Sequence, residues 1–287
     1  MTTTLGPARA GSGSPSARAT ALAGGLHPLG VFILLAGAFM PIMDFFITNV
    51  ALPSIDRSLH ASPASLELVV AGYGVAYAAL LVLGGRLGDR YGRHRVFFGA
   101  LVGFVLASAA CGLAPAVGVL IGARVVQGAA AAILIPQVLA TFHHTLEGER
   151  KARALALYGA TSGIAAVVGQ IVGGLLVSAN IAGSSRRPIF LVNVPVGIIV
   201  LLVASRIVPA TRSAHPLGAD LPGTVLFAAT LTVLLVPLTE GHALGWPWWT
   251  WLLIAVAVVL GGLTCLVEKR RCSPTCPPTW AASAAAP

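Results

Sequence analysis

Residues 84–95 read GGRLGDRYGRHR and give the strongest clue to the architecture of this chain. The stretch holds five charged residues, Arg86, Asp89, Arg90, Arg93 and Arg95, although only 9% of the residues of the protein are charged. Long apolar runs precede and follow it. Arginines concentrated between apolar runs are typical of a cytoplasmic turn in a membrane protein. The pattern therefore predicts a charged loop over residues 85–95 that joins two membrane-spanning helices.

The rest of the composition supports a membrane protein. The chain has 287 residues, 56% of them hydrophobic, and a mean hydropathy of +0.88. A soluble domain has about 25% charged residues, and this chain cannot cover a core of its size with so few. A helix needs about 20 apolar residues to cross a bilayer. The apolar runs predict an all-α polytopic membrane protein with spans at about 29–53, 66–84, 96–113, 117–141, 155–179, 189–208, 222–240 and 248–268.

The positive charges indicate the orientation of these spans. If the N-terminus is cytoplasmic, three of the eighteen Lys and Arg residues (Arg57, Arg186 and Arg187) fall in external loops, and Arg124 lies within a span. The other fourteen are then cytoplasmic, as the positive-inside rule requires. This asymmetry accounts for most of the net charge of +9, and no basic face carries interleaved aromatic residues. We therefore expect a lipid bilayer as the partner, and no nucleic acid.

The sequence offers no constellation for catalysis or metal binding. Cys272 and Cys276 have a C-x3-C spacing without a second ligand pair, and Cys111 and Cys265 lie in apolar runs. No Ser-His-Asp arrangement or phosphate-binding loop is visible, because the Gly-rich pieces lie within predicted spans. We therefore predict no metal, no cofactor and no enzymatic activity.

The charged stretch also carries a family resemblance. GRLGDRYGRHRVF closely resembles the loop motif G-x-L-a-D-r-x-G-r-k-x-x-l of the major facilitator superfamily. The matching positions are Gly85, Leu87, Asp89, Arg90, Gly92 and Arg93. The resemblance implies the fold of that superfamily, in which two six-span halves meet at a substrate site.

Further stretches resemble one subfamily, the drug:proton antiporters with fourteen spans. MDFFITNVALPSI (43–55) resembles its first-span motif, and LIGARVVQGAAAAILIP (120–136) its fourth-span motif. GQIVGG (169–174) and RRPIFLVNVPVGI (186–198) resemble its fifth-span motif and the start of its sixth span. Two positions depart from the pattern: Gln170 replaces the usual proline, and Arg186 replaces the usual tryptophan.

The composition and the resemblance together predict a domain organisation. We expect a disordered cytoplasmic tail over 1–28, a six-span N-terminal transporter half over 29–208, two additional spans over 209–268 and an irregular tail over 269–287. The composition changes abruptly after Arg271, where the family would continue with six more spans. We therefore expect a truncated or frame-shifted chain, which reading the coding DNA past that point in all frames would test.

The function implied is secondary active transport. The resemblance predicts proton-coupled export of drugs or other small hydrophobic or cationic solutes by alternating access, in the plasma membrane and with the proton gradient as the energy source. The alternative is a non-transporting membrane fragment, or a subunit that needs a partner to form a pathway. That partner would be a separate C-terminal half or a second copy of the chain.

Asp44 is the first candidate for proton coupling. It lies midway along the first apolar run, where a carboxylate costs about 2.5–3.5 kcal/mol on insertion scales. Such a group can bind a proton and release it as the cavity opens to either side. The alternative is a structural hydrogen-bonding residue near the membrane interface.

Arg124 is the second candidate, because its cation cannot be neutralised at ordinary pH and must face a cavity or a partner. The resemblance implies a role in proton coupling through a nearby carboxylate. The alternative is an arginine that extends its head group from the external end of the span to the interface. Gln127 and Gly128 lie on the same helix face as Arg124. We take Asn49, Gln127 and Gln170 as candidates for lining the substrate cavity.

Two sets of residues are predicted to shape conformational change. The resemblance implies a cytoplasmic latch, formed in one conformation and broken in another, by Gly85, Asp89, Arg90, Gly92 and Arg93. Gly85, Gly88 and Gly92 are expected to allow close approach or a positive φ; the alternative is a loop that only fixes topology. Small residues at four-residue spacing are typical of close helix contacts. The predicted helix-packing positions are Gly128, Gly159, Gly163, Gly169, Gly173 and Gly174.

Overall fold

A computed structural model describes residues 26–180, 186–207, 221–243 and 245–271. Nearly all of the predicted N-terminal tail, most of the predicted C-terminal tail, and the Cys272–Cys276 pair lie outside these ranges. The described residues form helices and short connections, without β-strands. This confirms the predicted all-α class.

The helices follow one another with short connections. They are α1 (Pro28–Leu59), α2 (Pro63–Tyr91), α3 (Arg93–Leu113), α4 (Val117–Thr145), α5 (Gly148–Ala179), α6 (Arg187–Leu191), α7 (Asn193–Ile207), α8 (Leu221–Ala243) and α9 (Trp248–Arg271). Proline starts the first two helices within their first turn, where its missing N–H costs nothing. The short α6 and the longer α7 together correspond to the predicted sixth span.

Each predicted apolar segment forms a helix, consistent with a polytopic membrane protein. Six spans in the described part of the chain are long and apolar enough to cross a bilayer: α1 to α5, and α6 with α7 as Arg187–Ile207. The apolar parts of α8 and α9, Leu226–Leu238 and Trp248–Thr264, are shorter. The architecture is the six-helix half with two added helices that the sequence predicted.

The predicted loop over 85–95 is wrong in its extent. Helix α2 continues to Tyr91 and α3 begins at Arg93, so that Gly92 alone separates them. Gly92 has a φ of 92° and a ψ of 126°, a conformation that side chains strongly disfavour. The hydrogen bonds continue through the junction, because the Gly92 amide donates to the Gly88 carbonyl (3.0 Å) and the Val96 amide to the Gly92 carbonyl (3.1 Å). The charged residues therefore lie on two helix ends.

The helices pack in pairs around a central core. Helix α1 lies against α5, α2 against α4, and α3 against α4 and α7, while α8 lies against α2 and α9. The buried apolar side chains separate into two clusters. The first core cluster includes Leu34, Met40, Phe97, Val105, Ala130, Phe142 and Val200. The second core cluster includes Ile47, Ile55, Val69, Cys111, Leu120 and Phe190.

A layer of polar side chains lies between the two core clusters. In α1, Asp44 falls between Met40 of the first cluster and Ile47 of the second. The same order holds in the other central helices, since Ser108 of α3, Arg124 and Gln127 of α4 and Asn193 of α7 each lie between members of the two clusters. These five residues and Tyr73 of α2 are called the polar layer below.

Candidate functional site

The polar layer is closed to solvent in this structure. Asp44, Ser108, Arg124, Gln127 and Asn193 are completely buried, and Tyr73 is 4% exposed. Polar groups at this depth cost free energy unless they are hydrogen-bonded, and charges cost more. The partners of each member therefore determine what the layer can do.

Arg124 and Asp44 form an ion pair at the centre of the layer. Nη1 of Arg124 donates to Oδ2 of Asp44 and also to Oε1 of Gln127 (2.8 Å). Nε donates to the backbone carbonyl of Val69 in α2 (3.2 Å). The structure thus joins the two residues that the sequence proposed for proton coupling. Both side chains are completely buried, and Asp44 lies near the middle of α1.

Asn193 completes the surroundings of the carboxylate. Its Nδ2 donates to Oδ1 of Asp44 at 2.6 Å, so that each carboxylate oxygen accepts one side-chain hydrogen bond. Asn193 is the first residue of α7, directly after the break at Val192. Sequence reasoning missed this residue. A lone asparagine inside a predicted apolar span, two residues before Pro195, was the signal that could have identified it.

Gln127 links the ion pair to α3. Its Oε1 accepts from Arg124 and from the Cys111 thiol (3.5 Å), while its Nε2 donates to the Ser108 hydroxyl (2.7 Å). Because the amide is fixed at both ends, Gln127 offers Arg124 a neutral acceptor that does not depend on the charge of Asp44. Gln127 lies beside Arg124, as the sequence predicted. It is completely buried in the polar layer and does not line an open cavity in this structure.

Tyr73 connects the layer to a row of aromatic side chains. The Arg124 guanidinium carbon lies 4.2 Å from the centre of the Tyr73 ring, a distance typical of cation–π contacts, and the Tyr73 hydroxyl donates to the Pro41 carbonyl at 2.9 Å. Tyr73 also contacts Phe45 (5.8 Å between ring centres) and Tyr77 (6.5 Å, nearly parallel). Phe45 and Tyr77 are half-buried, so the row leads outward from the ion pair.

Asn49 and Gln170, the other two candidates for the substrate cavity, lie outside the layer. Asn49 is on an exposed face of α1, and its Nδ2 donates to the Phe45 carbonyl one turn earlier (3.0 Å). Gln170 is exposed on α5. The structure therefore does not bring Gln127 together with these two residues.

The second candidate site is the junction of α2 and α3. Nη2 of Arg93 donates to Oδ1 of Asp89 at 2.8 Å, and Nη1 lies 3.4 Å from the Ala140 carbonyl in α4. Arg93 is 4% exposed and Asp89 is 25% exposed. The ion pair thus holds the junction against the end of α4.

Gln137 strengthens this junction and was missed by sequence reasoning. Its Nε2 donates to the carbonyls of Gly84 (2.7 Å) and Ile133 (2.9 Å). Its Oε1 lies so close to Gly88 that a Cβ at that position would overlap it. A buried glutamine directly after Pro136 was the available signal.

Two predicted members of the latch take no part in these contacts. A Cβ added at Gly85 would meet nothing within 4 Å, so the expected close approach is absent there. Arg90 is exposed and lies over the ring of Tyr91, 5.4 Å from its centre. The reason is their position on the helix, because α2 turns these residues away from α4.

The predicted packing glycines also divide into two groups. A Cβ at Gly128 would overlap the backbone of Tyr73, and one at Gly169 or Gly173 would press on α1 near Met43 or Ile47. At Gly159, Gly163 and Gly174 an added Cβ would meet nothing within 4 Å. No described residue packs closely against the second group, and a helix-packing role for it stays a prediction.

A separate apolar cavity of about 540 Å³ lies between α2, α4 and α8. Its lining includes Leu68, Val75, Leu83, Val125, Ala228 and Thr232, and none of the polar-layer residues. Within the described residues, no group of three or more His, Cys, Asp or Glu could hold a metal ion.

Comparison with protein families gives one match over most of the chain. The model of the Major Facilitator Superfamily matches residues 34–267. A probable actinorhodin transporter of Streptomyces coelicolor is 37% identical over 242 residues, which are 83% of this chain and 42% of that protein. A cephamycin export protein of Amycolatopsis lactamdurans is 38% identical and covers 97% of this chain and 56% of its own length.

A puromycin resistance protein of Streptomyces alboniger is 37% identical over 253 residues, which are 87% of this chain and 49% of that protein. The chain thus spans about half the length of these curated relatives. Among solved structures, a POT peptide transporter in complex with sulfate matches with a TM-score of 0.58 at 15% identity, over 88% of this chain and 55% of its own. That likeness shows the fold.

Proposed function

Because this chain belongs to the major facilitator superfamily, a family of transporters rather than enzymes, we propose that it forms the proton-coupling half of a secondary transporter that exports antibiotics or similar small molecules. The transporter would lie in the plasma membrane and use the proton gradient. The positive-inside pattern supports a cytoplasmic N-terminus. Export is the activity named for the cephamycin relative, and resistance for the puromycin relative.

The buried pair of Asp44 and Arg124 is the observation that carries this proposal. The pair has no net charge while Asp44 is ionised. A proton from water that binds to the Asp44 carboxylate forms an O–H bond and leaves one net positive charge on Arg124, which stays protonated. One proton thus changes the charge of an enclosed layer that contacts five helices. Such a change can bias two arrangements of the helices.

The aromatic row supports a class of solutes. The row runs from Phe46 and Phe45 (5.4 Å between ring centres) through the buried Tyr73 to Tyr77. Phe45, Phe46 and Tyr77 are partly exposed. Ring faces attract planar aromatic groups and cations. We therefore take drugs with aromatic or cationic groups as the substrates. The cavity candidate Asn49 lies on the same face of α1 as Phe45, one turn further along.

The junction of α2 and α3 supports the second part of the proposal, alternating access. The Asp89–Arg93 pair and Gln137 hold α2, α3 and α4 together at one end of the bundle. An ion pair in which one partner is 25% exposed can exchange that partner for another one. We propose that this junction is the cytoplasmic latch, formed in one conformation and released in the other.

The described residues supply one wall of the proposed substrate pathway. We propose that further protein or a second copy covers the exposed face of α5, which carries Gly159, Gly163, Gln170 and Gly174. A second candidate is a membrane subunit that transports nothing by itself and acts only with a partner on this exposed face of α5.

Proton-driven uptake into inverted proteoliposomes tests the proposal. The full chain is reconstituted, an acidic interior is imposed, and puromycin or ethidium accumulation is followed. We expect accumulation that collapses on dissipation of the gradient and is abolished by Asp44→Asn. The matched control is Asp56→Asn, the same change at an exposed position of the same helix, which should retain transport.

The other outcomes are also informative. Equal transport by the wild-type chain and by Asp44→Asn would contradict proton coupling at Asp44. A wild-type chain that inserts and folds but transports neither solute would favour the second candidate.

A further inference from the structure

Two buried polar atoms of the layer, Nη2 of Arg124 and Oδ1 of Asn193, have no hydrogen-bond partner among the described residues. Of the two, only Oδ1 of Asn193 is an acceptor. Nδ2 of the same amide donates to Oδ1 of Asp44. Buried amide oxygens normally accept a hydrogen bond, because leaving one unpaired costs free energy. The side chain therefore holds an acceptor beside the carboxyl group that can gain a proton.

The NH2 group of an amide can donate a hydrogen bond to a carboxylate, and its oxygen can accept one from a carboxylic acid. A carboxylate can only accept hydrogen bonds, whereas a carboxylic acid also donates one. Oδ2 of Asp44 faces the Arg124 cation, so the proton has its place on Oδ1, the oxygen that faces Asn193. A proton on Oδ1 would point at the Nδ2 group of Asn193, and two donors cannot form a hydrogen bond with each other. Rotation of the amide about Cβ–Cγ, a torsion with two broad minima, would place the unpaired oxygen there instead.

We propose that Asn193 is a positioning residue that binds Asp44 in both protonation states by turning its amide. With Asp44 ionised, Nδ2–H donates to the carboxylate. With Asp44 protonated, the new O–H donates to Oδ1 of Asn193. The only covalent change is one O–H bond formed with a proton from water. The inference rests on the proposed function for its use in transport, but the exchange itself needs no substrate.

Arg124 is arranged to stay in place when it loses its anion. Its neutral acceptors are Gln127 Oε1 and the Val69 carbonyl, and the Tyr73 ring lies against the guanidinium. The centre of the Phe190 ring lies 5.9 Å from the guanidinium carbon. None of these contacts involves the Asp44 carboxyl group. The mobile member of the layer is therefore the Asn193 amide at the start of α7, rather than the arginine.

The other ionisable groups near Asn193 do not offer the same response. Arg124 of α4, Tyr73 of α2 and Cys111 of α3 interact electrostatically with the Asp44 carboxyl group. Arg124 has no accessible neutral form. Tyr73 and Cys111 are neutral at pH 7 because the ordinary pKa values of both side chains lie above about 8. Among the described residues of α6 and α7, Arg187 and Arg206 lie at the helix ends. Protonation of Asp44 is therefore the change that would rotate the Asn193 amide.

Nuclear magnetic resonance of the side-chain amides tests this inference on the full chain in nanodiscs. The protein has three asparagines, Asn49, Asn180 and Asn193, so selective ¹⁵N-asparagine labelling gives few signals. Asn193→Ala identifies the signal of interest by its loss. We expect this signal alone to move with pH, and to stop moving in the Asp44→Asn variant. Ser205→Ala, at an exposed position of α7, should leave the titration unchanged.

The outcomes separate the inference from the proposed function. An Asn193 signal that stays constant while the ¹³C-labelled carboxyl of Asp44 titrates would overturn the inference, even if transport is coupled to protons. An Asn193 signal that follows the Asp44 titration would support it, even if the chain alone transports nothing. A signal that still moves in Asp44→Asn would also overturn the inference, because another group would then drive the movement.

Discussion

Gly169 of α5 lies against the backbone of Met43, the residue that precedes Asp44 in α1. A Cβ at Gly169 would lie 2.6 Å from the Met43 carbonyl oxygen. One turn further along α5, Gly173 faces Ile47 in the same way, with a Cβ 3.0 Å from its side chain. Helix α5 therefore supports α1 at the level of the polar layer, through contacts that only small residues permit.

Gly169→Ala should push α5 away from α1 beside Asp44. The methyl group meets backbone rather than a flexible side chain, so the helices must separate. Overpacking of this kind costs about 1–3 kcal/mol of unfolding free energy. The measurement is thermal or denaturant unfolding of the purified chain in detergent, with transport in proteoliposomes as a second readout.

Gly174→Ala is the matched control, because the same substitution on the same helix meets nothing within 4 Å. It should be neutral or slightly stabilising, since alanine has the higher helix propensity. Equal losses of stability for the two variants would refute the contact between Gly169 and Met43.

The ion pair of Asp44 and Arg124 should show strong energetic coupling. Removal of one partner leaves a completely buried charge without its counter-ion, which costs about 3–5 kcal/mol. Removal of both partners leaves no buried charge. We therefore expect Asp44→Asn and Arg124→Gln to destabilise the chain individually, and the double variant to be more stable than their summed effects predict.

The exposed pair of Glu149 and Arg153 provides the comparison for that cycle. Its side chains are 86% and 74% exposed, at a distance of 3.1 Å. Such pairs contribute about 0–1 kcal/mol. Additive effects of the substitutions at Asp44 and Arg124, like those expected at Glu149 and Arg153, would show that the two buried groups do not interact.

The sequence predicted which residues would be costly in a membrane, but not which way they face. Asp44 and Arg124 could be identified because a charge inside an apolar run has few alternatives to a buried partner. Asn49, Gln170, Gly159 and similar positions could not be assigned in the same way. A membrane helix is apolar on its lipid face and on its core face, so its sequence pattern does not separate the two.

Asn193 and Gln137 show the converse limit. Both lie near a proline within an apolar run, and neither is charged, so hydropathy alone gives them little weight. Their importance depends on which backbone or side-chain atoms the other helices bring to them, at separations of 149 residues for Asp44 and Asn193 and 53 residues for Gly84 and Gln137. The ends of α2 and α3 could not be predicted from the sequence either. Backbone hydrogen bonds continue on both sides of Gly92, so the charged motif is helical rather than a loop.

Asp89→Asn should loosen the junction of α2, α3 and α4. Arg93 is 4% exposed and would lose its charged partner, keeping the Ala140 carbonyl. A hydrogen bond to a charged group contributes about 1.5–3 kcal/mol, and the partial exposure of Asp89 places the effect at the lower end. Hydrogen–deuterium exchange should therefore become faster in the last turns of α4.

Asp56→Asn is the control for this variant, since it removes an exposed carboxylate from α1. Its exchange profile at α4 should match that of the wild-type chain. Unchanged exchange in Asp89→Asn would show that the ion pair does not hold the junction together.

Two substitutions at Tyr73 should separate the contributions of its hydroxyl group and its ring. Tyr73→Phe removes the hydrogen bond to the Pro41 carbonyl and keeps a ring against Arg124, so it should cost about 1 kcal/mol of unfolding free energy. Tyr73→Leu also removes the cation–π contact, which contributes about 2 kcal/mol where the cation is desolvated. Chemical unfolding in detergent measures both. Equal stabilities of the two variants would show that the ring does not stabilise the buried cation, and Arg124 would then depend on Gln127 and Val69 whenever Asp44 is protonated.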